Sequence, residues 1–109
     1  MRVLRFIVDG ESIINDPSCD FTGLFPGKNP EIYAEFVFSP DWKSRLKVAA
    51  FWSMLGKEYE PQLVNEQNLC KIPEEALKKP AFKVQILGKH RGRNFQTNTT
   101  IVYQRGGTK

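Results

Sequence analysis

The stretch Glu31–Trp52, EIYAEFVFSPDWKSRLKVAAFW, decides how this chain is read. Ile32, Ala34, Phe36 and Phe38 alternate with Tyr33, Glu35 and Val37, the period-2 pattern of a strand with one strongly apolar face. Ser39-Pro40-Asp41 then interrupts the run with turn chemistry, because Pro fixes φ while Ser and Asp bond nearby backbone. Beyond the polar bridge Lys43-Ser44-Arg45 lies a second apolar run, Leu46–Trp52. The pair predicts a β-hairpin or a β-arch with Trp42 covering its end. Its two runs hold three of the eight phenylalanines and, with Trp42, both tryptophans. A small β protein places its core there.

Length and composition set the outer bounds. A chain of 109 residues is one domain with room for a modest core. An apolar fraction of 40% and a charged fraction of 26% are those of an ordinary folded domain, which argues against both disorder and a membrane protein. No apolar run approaches the roughly 18–20 residues that span a bilayer. Met1–Val8 is too short and too interrupted by arginine for a signal peptide, and Asp9-Gly10-Glu11 stands where cleavage would occur. The expectation is a protein made and kept in a cytoplasm. Cys19 and Cys70 belong to no CxxC pair, and with His90 as the single histidine there is no zinc ligand set. They read as two small buried hydrophobes, and nothing in their placement supports a Cys19–Cys70 disulfide. No metal or cofactor is expected.

The net charge of +4 conceals a division of the chain. Residues 1–75 carry all twelve acidic side chains and eight basic ones, whereas residues 76–109 carry eight basic side chains and no acid. Such an end suits an acidic partner, either a negatively charged protein surface or nucleic acid.

Outward from the central stretch, turn signals recur at short intervals. Arg2–Val8 reads as a strand with Leu4, Phe6 and Val8 on the core face, and Asp9-Gly10-Glu11 as a turn. Ile13-Ile14 suits a brief strand, and Phe21–Asn29, with Gly23, Pro26 and Gly27, a loop. A strand opening at Lys57–Tyr59 is demoted to an edge by Pro61, Gln62–Val64 is apolar again, and Leu69–Ile72 reads as a brief strand. Pro73–Lys79 is the one helical piece: Pro leads, acids follow, lysines end it and Pro80 stops it. Phe82, Val84 and Ile86 share a strand face within Ala81–Leu87, and Thr97–Tyr103 is a β-branched final strand. Between them, Gly88–Asn94 (GKHRGRN) reads as a basic loop. About seven short strands with one helical turn near residues 73–79 describe an all-β antiparallel sandwich, a single domain over residues 1–104 with a fraying tail at 105–109.

Several of these segments, taken in order, resemble a known group. FVFSPDW (Phe36–Trp42), KVAAF (Lys47–Phe51), CKIPEEAL (Cys70–Leu77), FKVQILG (Phe82–Gly88) and TNTTIV (Thr97–Val102) resemble small β-sandwich modules encoded by tailed phages and prophages of Gram-positive bacteria. They are similar to the N-terminal domain of baseplate upper proteins and to modules of tail and head fibre proteins. The likeness spans residues 30–104 and rests on the order of the motifs, each weak alone. It implies an immunoglobulin-like sandwich whose task is attachment within a virion. Such modules usually precede a longer fibre segment; a chain ending at Lys109 reads as a stand-alone accessory.

No enzyme is legible. His90 has no serine or cysteine nucleophile that can be paired with it, and Gly88–Arg93 lies between strands, not between strand and helix as a phosphate-cradling loop would. Asp16 and Asp20 sit among turn residues, and Glu74 and Glu75 begin a helix. The candidate partner-binding residues are Lys89, His90, Arg91, Arg93 and Phe95 in the basic loop, with Phe21 and Phe25 as an apolar patch. The function expected is non-enzymatic protein–protein binding in a phage or prophage, as a baseplate, fibre or capsid accessory. The alternative is a small inhibitor of a host defence nuclease, anti-CRISPR-like, acting through the basic loop; weak nucleic-acid binding comes third. The partner is another protein, with nucleic acid less favoured, no membrane, and a homo-oligomer compatible with the role. The expected location is the host bacterial cytoplasm, with incorporation into the virion.

Overall fold

Alternation in Arg2–Asp9 (β1) buries Leu4, Phe6 and Val8, and alternation in Ile32–Phe38 (β3) buries Ile32, Ala34 and Phe36. The structure is a computed structural model, described for residues 2–21 and 31–103. The remaining strands are Ser12–Asn15 (β2), Leu46–Ser53 (β4), Gln62–Leu63 (β5), Leu69–Lys71 (β6), Ala81–His90 (β7), Arg93–Gln96 (β8) and Thr100–Tyr103 (β9). They form two sheets, one ordered β2-β1-β3-β6 and the other β5-β4-β7-β8, with β9 also on β7. The result is an all-β sandwich in which β1 and β3 run parallel and the other pairs antiparallel. The parallel register sets Phe6 beside Phe36, whose rings stack at 5.4 Å. Each phenylalanine buried this way contributes about 1.5–3 kcal/mol over exposure.

Glu31–Trp52 resolves as an arch and not a hairpin, since β3 belongs to one sheet and β4 to the other. Its corner is clamped to the end of β1. Ser39 N–H donates to Val8 O at 2.8 Å, and the Ser39 hydroxyl accepts from Gly10 N–H at 2.9 Å. A single 3-10 turn, Pro40–Trp42, then drops the indole between the sheets. Trp42 is fully buried, and its Nε1 donates to Gly10 O at 2.8 Å. It covers the end of the sandwich as the sequence suggests.

The last segment differs from its expected form. Thr97–Tyr103 is not one strand: β8 and β9 pair with different halves of β7, and Thr97–Thr99 lies between them. The buried Thr97 bridges the interruption, because its hydroxyl accepts from Ile86 N–H at 3.0 Å and donates to Asn98 O at 2.7 Å. With the extra strand at Arg93–Gln96, the described residues hold nine strands where about seven were expected. Asn98 and Asn15 close the adjacent flank. The Asn98 amide accepts from Ile13 N–H at 2.9 Å and donates to Ile13 O at 3.3 Å, while Asn15 Nδ2 donates to Ile101 O at 2.8 Å.

The helical piece is one turn, Glu74–Leu77 (α1), with Pro73 immediately before it and Ala76 and Leu77 buried. Both cysteines are free thiols. Cys70 is buried, and desolvation pushes its pKa up to about 12; Cys19 is half-buried beside β1. Most of the Phe21–Asn29 loop, including Leu24 and Phe25, and the 105–109 tail lie outside the described residues.

Candidate functional site

The basic segment is a β-hairpin tip. β7 runs on to His90, so Gly88–Asn94 is mostly strand and only Arg91 and Gly92 turn. Both have positive φ, 52° and 80°, the geometry of a tight two-residue turn whose twist matches its strands. Glycine adopts it without strain, whereas Arg91 gives up about 1 kcal/mol or somewhat more. The turn leaves Lys89, His90, Arg91 and Arg93 exposed, and among the described residues no carboxylate pairs with the three cations. His90 Nδ1 lies 3.0 Å from Ser44 O, tying the tip to the Lys43–Arg45 bridge.

Phe95 is not available as a stacking platform. Its ring packs on Trp42 at 4.7 Å between centroids, and the Arg45 guanidinium lies 4.2 Å from its centroid. Lys47 is held similarly, with Nζ donating to Arg45 O at 3.1 Å and lying 5.2 Å from the Phe38 ring. Arg45 and Lys47 thus join the basic end from β4, because Leu46 and Lys47 face Lys89 and Gly88 across the ladder. In sequence Arg45 belongs to the polar bridge and Lys47 to the second apolar run; only the β4–β7 register brings them to the tip.

Phe21, the other described candidate, lies elsewhere. It packs edge-on against Phe6 at 5.5 Å, half-buried at the margin of the core beside the four-stranded sheet. The structure therefore brings together Lys89, His90, Arg91, Arg93 and Phe95 and leaves Phe21 apart.

The electrostatics of the two sheets differ. On the four-stranded sheet Arg5 reaches Glu35 at 3.3 Å and Asp16 at 3.4 Å, and Lys71 reaches Glu31 at 3.1 Å. Hydrogen bonds from Ser18, and then Arg5, hold the Asp16 carboxyl below its usual range; Tyr33 and then Lys71 do the same for Glu31. Among the described residues no three His, Cys, Asp or Glu side chains gather to hold a metal ion. No helix among them is long and apolar enough to cross a membrane. The geometry offers a cationic surface mounted on a rigid aromatic support. It offers no arrangement for bond-making chemistry at that tip.

No protein-family model matches the sequence, and no curated protein shows significant similarity to it. The fold has a solved counterpart. The chain superposes on the N-terminal domain of phage TP901-1 ORF48 with a TM-score of 0.59, over 96% of this chain and 99% of that one. Identity is 12%, so the likeness is one of fold.

Proposed function

We propose that this chain is a protein-binding module of a tailed-phage particle, an immunoglobulin-like sandwich serving as a baseplate, fibre or capsid accessory without enzymatic activity. The observation that carries the reading is the end-to-end match to a phage protein domain, 96% of one chain against 99% of the other. The ordered motifs from Phe36 to Val102 support it independently, since they resemble attachment modules of such particles. Binding would use the exposed cations Lys89, Arg91 and Arg93 to steer a negatively charged partner, at a tip that Trp42 and Phe95 keep rigid. The test is to produce the particles with a tagged copy of the chain and purify them on a density gradient. A fixed copy number per particle is expected. A monomer absent from purified particles would contradict the reading.

The unpaired cations also favour a second reading, an inhibitor that occupies a host defence nuclease. Replacing Lys89, Arg91 and Arg93 by Glu would then abolish inhibition while the domain stays folded. Unchanged inhibition would remove the tip from that mechanism.

A further inference from the structure

The strand β4 is apolar on both faces, and one face is not core. Ala49 and Phe51 point inward with Ile86 and Val84 opposite them; by alternation Leu46, Val48, Ala50 and Trp52 lie on the other face, where Leu46 is exposed, Val48 and Trp52 are half-buried and Ala50 is buried. The register assembles these outward residues into rows. Leu63, Val48 and Leu87 lie side by side across β5, β4 and β7, with Leu46 one step along β4. Leu63 is 64% exposed and Leu46 60%, values no core position shows. A further row holds Trp52, Lys83 and Ile101, and Tyr103 ends the face at 61% exposure. Trp52 is half-buried, and its indole N–H, itself covered, finds no acceptor among the described residues. A contiguous apolar stripe crossing three strands differs from the scattered exposed leucines of an ordinary surface.

Charge says what covers it. Lys83 and Lys89 flank the stripe, and neither is ion-paired among the described residues. Glu58, bridged to Trp52, is the one acidic side chain in these rows. The opposite sheet also carries an apolar row, Ile14, Ile7 and Val37 across β2, β1 and β3, but its charges are satisfied within the chain, with Arg5 and Lys71 held by Asp16, Glu35 and Glu31. A second copy of the chain is a poor occupant. Antiparallel two-fold stacking centred at the level of Ile86 would set Lys83 of one copy against Lys89 of the other, and parallel stacking would set Lys89 on Lys89.

We infer that the outer face of the five-stranded sheet is the docking surface, and that its partner is a protein surface with an apolar centre ringed by Asp and Glu. This deepens the reading above and rests on it only for the existence of a particle-bound protein partner. Burial of the stripe would supply the affinity, while Lys83, Lys89 and the hairpin tip would select the partner.

The experiment places a photocrosslinking benzoylphenylalanine at Leu46 or Leu63, and as a control at Val37 on the other sheet, in the full chain expressed during particle assembly. Adducts are expected from Leu46 and Leu63 and not from Val37. The crosslinked partner peptide should carry Asp or Glu, and K83E/K89E, checked for an unchanged melting curve, should lower the yield by about tenfold or more. Adducts from Val37 instead, or between two copies of the chain, would overturn the assigned face while leaving a particle role standing. A partner peptide without acidic residues, or a yield indifferent to K83E/K89E, would overturn the charge assignment. No adduct from any position, with the chain missing from the particles, would overturn the inference together with the reading beneath it.

Discussion

Gly88→Ala should destabilise the domain through a single contact. A Cβ at that position would lie 2.4 Å from Cζ3 and 3.1 Å from Cε3 of Trp42. Carbon atoms in cores rest about 3.5–4.0 Å apart, so the indole would have to withdraw by about 1 Å. The ring has nowhere to go. Its Nε1 is bonded to Gly10 O at 2.8 Å, and Phe38 and Phe95 flank it at 5.5 and 4.7 Å between centroids. Overpacking of this kind costs about 1–3 kcal/mol, and a lost hydrogen bond about 0.5–1.5 kcal/mol more. Replacing a strand glycine by alanine returns about 0.5–1 kcal/mol. The net loss should be about 1–3 kcal/mol, read at 25 °C as a fall of about 1 M in the urea midpoint with an unchanged slope. In a Trp42→Phe background, where those ring atoms are gone, Gly88→Ala should cost much less. A loss below about 0.5 kcal/mol, or an equal loss in both backgrounds, would refute the seating of Trp42 against β7.

Other outcomes follow from single interactions. Asn98→Ala leaves the Ile13 backbone without its side-chain partners, and should cost about 1–2 kcal/mol, or roughly 4–8 °C of Tm per kcal/mol, with faster amide exchange at Ile13; unchanged exchange would show that the flank is held otherwise. Asp16 and Glu31 have depressed pKa values in the folded state, so the unfolded chain binds protons first on acidification. Their contribution is complete above the unfolded values of about 4 and is lost as pH falls through the lower folded values. The urea midpoint should therefore hold from pH 7 to 5 and drop below about pH 4, and Asp16→Asn should weaken that drop; an identical drop in the variant would contradict the assignment. Cys70, buried with its thiol raised to about 12, should resist alkylation until denaturant is added, while half-buried Cys19 reacts in the native protein. Mass spectrometry should show one adduct before denaturation and two after.

What the sequence disclosed follows from where the two faces of a strand differ. In β1, β3 and β7 the inward residues are Leu, Val, Ile, Phe and Ala while the outward ones include Arg, Glu, Lys and Gln, so alternation revealed strand and face together. β4 defeated that reading, because Leu46, Val48 and Trp52 look like core although they point outward. Arg93–Gln96 was hidden for the opposite reason: an edge strand beside a two-residue turn needs little apolar surface, and its one large apolar residue, Phe95, read as loop. The choice between hairpin and arch was not local at all. It depends on β3 pairing with β1 and β6 while β4 pairs with β7, and a strand's period is the same in either sheet. The basic tip was legible as composition. Its union with Arg45 and Lys47, and the outward stripe beside it, existed only in the register.

The proposed role has the chain bind a particle protein through the outer face of its five-stranded sheet. The most direct measurement is the copy number per purified particle for two double variants assembled in parallel. Leu46→Asp/Leu63→Asp places acid on that face, and Ile14→Asp/Val37→Asp does so at comparably exposed positions on the other sheet. Retention of the second variant and loss of the first, both with near-native melting curves, is the predicted result. Loss of the second with retention of the first would contradict the claim.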